Sequence, residues 1–263
     1  MLTFIPQVGI MKTVENGAMA RSFAAGPSVI SPACGPFRPA GPFYGEKAMN
    51  YKAELVAAGK EMLAKKLTVE TWGNISLYDA ETGLVYMTPS AMPYHTIVED
   101  DVVVVRLADG AVVEGHRKPT VEKDLHLGVY RSRSEVRAVI HTHPVHSLVF
   151  GVVRRPIPPI IDEAAQVLGG TVEVTDYALP GTMDLASETV RALGGEKMAC
   201  ILANHGSVCV GRTLAEAFKV CTVLEMTAEI YYKALTLGEP HVIDEEKVAF
   251  MRDFALNHYG QGK

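Results

Sequence analysis

The chain has 263 residues, 48% hydrophobic and 21% charged, with a formal net charge of −5. That is enough chain to bury a sizeable core in one domain, and the acidic balance excludes the basic face that binding a phosphate backbone requires. No apolar run approaches the ~20 residues of a membrane-spanning helix, so the expected partners are small molecules or protein, not nucleic acid or membrane.

Residues 1–49 concentrate breakers, from Ala25-Gly26-Pro27-Ser28 through Gly35-Pro36 and Pro39-Ala40-Gly41-Pro42 to Gly45. They offer little to bury, so a poorly ordered extension is expected ahead of a folded unit over 50–263. Residues 1–12 lack a basic start and a continuous apolar stretch, and no secretory signal is expected. The four cysteines, Cys34, Cys200, Cys209 and Cys221, form no Cys-x-x-Cys pair. Free thiols in a reducing compartment are expected, which places the protein in the cytoplasm.

Apolar residues at helical spacing predict an amphipathic helix over 51–66. Alternation then predicts a hairpin of strands over 71–77 and 84–88, with Gly73-Asn74 interrupting the first, a place where backbone approaches another group closely. A second hairpin is expected from strand 101–107, the turn at Asp109-Gly110 and strand 111–115. A helix over 121–133 leads into a β-branched strand over 136–142. A short helix over 147–153 ends before the prolines at 156–159. A further helix opens at Asp162, followed by a strand at 171–175, a helix at 183–193, strands at 199–203 and 208–210, and helices at 214–237 and 245–258. The expected class is α/β: one domain with a central mixed, largely antiparallel sheet covered by helices.

The strand over 136–142 delivers His141 and His143, two positions apart and so on one face. Zinc favours imidazole nitrogen, and a catalytic site uses three protein ligands with one position left open. His205, where the apolar run Cys200-Ile201-Leu202-Ala203 breaks before Gly206, is the candidate third ligand. Glu122 sits in the first turn of its helix, where the macrodipole favours a carboxylate, and beside a metal it can act as acid/base. Plainer readings stand next to these: a His-x-His pair is equally two ordinary strand residues, and Glu122 a helix-start charge. His126, one turn beyond Glu122, reads better as a core or surface histidine, and the spacing of His146 allows it as an alternative ligand.

Five motifs in order, Gly73-Asn74-Ile75-Ser76, Thr88-Pro89-Ser90, Pro119-Thr120-Val121-Glu122, His141-Thr142-His143-Pro144-Val145-His146 and Asn204-His205-Gly206, resemble the class II aldolase/adducin-head family. Within it the chain is similar to the L-fuculose-phosphate aldolase branch, from about residue 52 to the C-terminus. The resemblance implies that family's fold and one Zn2+ per subunit on His141, His143 and His205. It implies Glu122 as acid/base, and Tyr259, in the terminal Tyr259-Gly260-Gln261, as a catalytic group reaching a neighbouring subunit. It implies a substrate phosphate held by Gly73, Asn74, Ser90, Ala91 and Thr120, and a homotetramer with active sites at subunit interfaces.

The implied reaction belongs to carbohydrate metabolism: a lyase cleaves L-fuculose 1-phosphate, or a related deoxy-ketose phosphate, to dihydroxyacetone phosphate and an aldehyde through a metal-stabilised enediolate. Two departures from the branch pattern concern the phosphate. Thr-Gly becomes Ser90-Ala91 and Ser-Ser becomes Thr120-Val121, which removes one hydroxyl. The ribulose-phosphate 4-epimerase branch resembles the chain at Thr71-Trp72-Gly73-Asn74 and at its end but carries aspartate in place of Glu122, so the aldolase is favoured. A sugar-acid-phosphate decarboxylase would use the same zinc site, and a metal-free adducin-head interaction module would have lost the histidines. Asp162 and Glu163 both stay open as the equivalent of a site residue in the related branches.

Overall fold

Asn50 begins the first helix by accepting the Ala53 N–H at 3.1 Å on its side-chain oxygen, an N-cap that satisfies one orphan donor. The computed structural model describes residues 50–261, so the Gly/Pro-rich extension and Cys34 lie outside the described residues. Helix α1 (Tyr51–Ala64) buries Leu55, Ala58 and Met62, one stripe at helical spacing.

Strands β1 (Asn74–Asp79) and β2 (Leu84–Met87) form the first expected hairpin. Its turn is held by Asp79, whose carboxylate accepts the Glu81 N–H at 3.0 Å and the Thr82 hydroxyl at 2.6 Å, as turn aspartates do. β3 (Val103–Arg106) and β4 (Val112–Glu114) form the second. β3 starts later than its β-branched run suggests because Glu99–Asp101 wind into a 3-10 turn. There the buried Asp101 accepts from Arg117 Nε at 2.7 Å and from the Val98 N–H at 3.1 Å.

The chain continues through α2 (Lys123–Ser132), β5 (Ala138–Thr142), α3 (Val145–Val153), α4 (Asp162–Leu168), α5 (Met183–Leu193), β6 (Ala199–Leu202), β7 (Gly206–Gly211), α6 (Leu214–Leu237) and α7 (Glu245–Asn257). Thr182 and Thr213 cap α5 and α6 by accepting the Leu185 and Glu216 N–H groups at 3.2 and 3.1 Å, and Gly194 and Gly238 end them.

The seven strands make one sheet in the order β4-β3-β2-β1-β5-β7-β6. Every neighbouring pair is antiparallel, so the largely antiparallel sheet expected is antiparallel throughout its named strands. Among the described residues, parallel pairing occurs only as a bridge between Val174 and Ile201, and the strand expected over 171–175 is reduced to that bridge and one between Ile157 and Val172. All residues of β5, β6 and β7 are buried. Since successive side chains point to opposite faces, helices cover the sheet on both sides there, while β4 is an exposed edge. α6 packs on β5, β6 and β7 and against α3 and α4, α5 packs on α2 and β6, and α1 on β1. Cys200, Cys209 and Cys221 are buried free thiols within this core, and burial pushes the Cys200 thiol up to about 12.

Candidate metal centre

The centre forms at one end of the middle strands. His141 is the register partner of Asn74 on β1 and of Val208 on β7, so it is flanked on both sides by sheet. Its Nδ1 lies 3.0 Å from the Ser207 carbonyl. A carbonyl only accepts, so Nδ1 carries the proton and Nε2 presents a lone pair. His143 lies just past the strand, its N–H bonded to the Leu67 carbonyl at 2.9 Å.

His205 arrives on the β6–β7 hairpin. Leu202 pairs with Gly206, leaving Ala203, Asn204 and His205 as a three-residue loop. Asn204 takes the left-handed conformation at φ 55, which asparagine tolerates better than most residues; its side-chain oxygen accepts from Arg154. A Cβ on Gly206 would overlap the Thr142 carbonyl oxygen and come within 2.9 Å of His141 Cε1 and 3.1 Å of His143 Cδ2. Gly206→Ala is therefore expected to displace both rings and weaken divalent-metal binding about 10- to 100-fold, measured by competition with a chromophoric chelator; unchanged affinity would mean the hairpin absorbs the methyl.

The three imidazoles converge, each offering a nitrogen within 4.8 Å of the others. His141 and His143 bring their Nε2 atoms to 2.9 Å. Glu122, the residue before α2, is buried between them: Oε2 lies 3.2 Å from His141 Nε2, and Oε1 3.2 Å from His205 Nε2. Burial is the main cause that pushes His141 down to about 4, His143 to about 3 and His205 to about 4, with neighbouring imidazoles adding to it at His143 and His205. All three rings are neutral lone-pair donors at pH 7.

This donor set fits a divalent ion. Two facing Nε2 atoms can share one proton at most, and among the described residues the buried Glu122 Oε1 and His205 Nδ1 have no hydrogen-bond partner, a costly state that a cation among the donors relieves at the carboxylate. His146, the alternative ligand, is drawn elsewhere. Its Nδ1 and N–H meet Glu225 Oε1 at 2.8 Å each, and the Ser147 N–H meets Oε2 at 2.9 Å, so Glu225 of α6 caps α3 directly after the His-Thr-His-Pro turn.

The expected phosphate segments meet beside Glu122. The Thr88 N–H bonds the Ile75 carbonyl at 3.0 Å, the Ser90 N–H bonds the Lys118 carbonyl at 3.0 Å, and Pro89 bridges Pro119. The Thr120 hydroxyl accepts the Glu122 N–H at 3.3 Å. Ala91 is exposed at φ 55. Gly73 is not an interruption within a strand but the residue before β1, at φ +74, where a Cβ would stand 2.6 Å from the His141 carbonyl oxygen. The Asn74 side chain is engaged on both sides: Nδ2 donates to Glu122 Oε2 at 2.7 Å, and Oδ1 meets His126 Nε2 at 2.5 Å.

Tyr259 is 62% exposed at the end of α7, its ring 6.3 Å from Phe254, and among the described residues it makes no bond to its own chain's histidines. Asp162 and Glu163 begin α4 and likewise have no bond or ion pair with the cluster. Trp72, 56% exposed, stacks near His143 with ring centres 6.2 Å apart.

His126 is fully buried, and desolvation pushes it down to about 3. In the unfolded chain the ring takes its proton near 6.5, so its contribution to stability is complete above that pH and is lost as pH falls toward 3, at about 1.4 kcal/mol per pH unit. In urea unfolding of chelator-treated protein, the wild type is expected to lose about 2 kcal/mol more than His126→Gln between pH 7 and 5; equal losses would contradict the burial argument.

Residues 53–232 match the family model described as Class II Aldolase and Adducin N-terminal domain. The chain is 35% identical over 212 residues to a 5-deoxy-D-ribulose 1-phosphate aldolase of Bacillus thuringiensis serovar kurstaki, covering 81% of this chain and 97% of that protein. It is 33% identical over 194 residues to a 5-methylthioribulose-1-phosphate/5-deoxyribulose-1-phosphate aldolase of Rhodospirillum rubrum, covering 74% and 86%. Among solved structures, an L-fuculose 1-phosphate aldolase superposes with a TM-score of 0.75 at 36% identity, over 78% of this chain and 96% of that one.

Proposed function

The chain belongs to the family of class II aldolases and adducin N-terminal domains, as a lyase, and within it we propose a zinc-dependent aldolase that cleaves a ketose 1-phosphate into dihydroxyacetone phosphate and an aldehyde. The substrate is L-fuculose 1-phosphate or a related deoxy-ketose phosphate, the class named by the relatives. One observation carries this reading: three neutral imidazoles, of His141, His143 and His205, converge with the carboxylate of Glu122. A metal-free interaction module has no use for that set.

When held by the three histidines, zinc supplies a Lewis acid that offsets negative charge on the substrate oxygens as the carbon–carbon bond breaks. Glu122 moves the proton on and off the carbon next to the carbonyl in the dihydroxyacetone phosphate half. The Asn74 amide holds the carboxylate that does so. Gly73, Ser90, Ala91 and Thr120 form the phosphate side, where backbone N–H groups and hydroxyls bind an anion without a lysine. Tyr259, exposed just beyond α7, serves the hydroxyl that becomes the aldehyde oxygen, in a neighbouring subunit of a homotetramer. The enzyme works in the cytoplasm; among the described residues no helix is long and apolar enough to cross a membrane.

The test is a panel of ketose 1-phosphates, ribulose 5-phosphate and unphosphorylated ketoses, scored for released aldehyde. Aldehyde from the 1-phosphates alone is the expected result, and epimerised pentose without aldehyde would move the assignment to the 4-epimerase branch.

A further inference from the structure

A continuous line of buried hydrogen bonds runs behind Glu122. Asn74 Nδ2 donates to Glu122 Oε2 at 2.7 Å, Asn74 Oδ1 meets His126 Nε2 at 2.5 Å, His126 Nδ1 meets Ser76 Oγ at 2.6 Å, and Ser76 Oγ meets the Tyr130 hydroxyl at 2.8 Å. Ser76 and His126 have no exposed surface, Tyr130 3% and Asn74 5%. Two elements supply the members. Asn74 and Ser76 stand two apart on β1 and share a face, while His126 and Tyr130 are one turn apart on α2.

The direction of every bond follows from the first. A carboxylate accepts, so Asn74 turns its NH2 toward Glu122 and its carbonyl toward His126. That carbonyl also accepts, so the proton of the imidazole sits on Nε2. Nδ1 of the neutral ring is then an acceptor, and Ser76 donates to it. Tyr130 in turn donates its one proton to Ser76, whose Oγ lies at 2.8 Å and backbone oxygen at 2.9 Å. Burial keeps the ring neutral, which preserves the sequence of donors. An Asn74 amide turned the other way would press its oxygen against the carboxylate, two acceptors face to face in a buried site.

We propose that His126 is a positioning residue for the acid/base: its Nε2–H fixes the orientation of the Asn74 amide and, through it, the carboxylate of Glu122. This rests on the reading of Glu122 as the acid/base. His126 meets neither the substrate nor the three histidines, so it acts on turnover and leaves binding alone. A core histidine that merely satisfied its own nitrogens would have no such effect.

Three variants of the full-length, zinc-loaded protein separate the two cases. His126→Leu is expected to lower kcat about 10- to 100-fold, the usual effect of removing a partner one shell behind a site, with KM and zinc content unchanged. His126→Gln, which can still offer an N–H to Asn74, should recover most of that loss. Ser76→Ala keeps the imidazole and releases its tautomer, and should give a smaller loss in kcat; it decides the matter if His126→Leu does not fold. Nitrogen-15 spectra of histidine-labelled wild type report the ring independently of activity, and protonation at Nε2 alone is expected. A proton on Nδ1, a wild-type kcat in both His126→Leu and Ser76→Ala, or a His126→Gln no better than His126→Leu would overturn the proposal. A wild type that cleaves none of the ketose phosphates would instead overturn the aldolase reading, so the two failures are distinct.

Discussion

His143→Ala is expected to leave the protein folded, without bound zinc and without measurable cleavage. His143 is half-buried at the mouth of the cluster and its side chain holds no strand in place; its backbone N–H, bonded to the Leu67 carbonyl, survives the substitution. Two imidazoles remain, too few for a catalytic zinc site. The ion contributes several kcal/mol of charge stabilisation in such reactions, and at 1.36 kcal/mol per tenfold the loss is about 10³-fold or more. Plasma-emission analysis of the purified variant and aldehyde release from a ketose 1-phosphate check both halves. Cleavage retained without zinc would end the metal-dependent reading.

Glu122→Gln separates proton transfer from metal binding. Glutamine keeps the length of the side chain and an oxygen that can accept from Asn74 Nδ2, but it cannot take a proton. The expected result is a fall in kcat of about 10²- to 10⁴-fold, with zinc retained and little change in KM. Dihydroxyacetone phosphate incubated with the enzyme in deuterium oxide should exchange a carbon-bound proton in the wild type and fail to do so in the variant, read by proton NMR. Exchange at the wild-type rate in Glu122→Gln would assign the proton to another group.

Much of the centre is legible in the chain because it depends on short-range geometry. His141 and His143 lie two apart, and extended backbone puts them on one face even though β5 itself stops at Thr142. His205 is marked by a break between an apolar run and a glycine, which became the three-residue hairpin loop. The bounds of α5 and α6 coincide with their apolar periodicity because Thr182 and Thr213 cap them and Gly194 and Gly238 end them.

What was not legible depends on pairing between distant segments. The sequence offers no sign that β1 lies beside β5, the register that puts Asn74 opposite His141, and none that the Asn74 amide bonds Glu122. The acceptor that fixes the His141 tautomer is a backbone carbonyl, at Ser207, and carries no residue signature. Glu225 did leave one, a lone carboxylate in the apolar run Val223-Leu224-Glu225-Met226, though its target at the start of α3 could not be read. Residues 171–175 have strand composition but find no full-length neighbour, which composition cannot foresee.

The three imidazoles are anchored unequally. His141 lies in the interior of the ladder between β1 and β7, where amides exchange with solvent only when the whole domain opens. His205 stands at the tip of a hairpin loop that can open locally at much lower free energy. A metal held by the three rings is therefore expected to leave with His205 swinging away while His141 stays in the sheet, without unfolding of the domain.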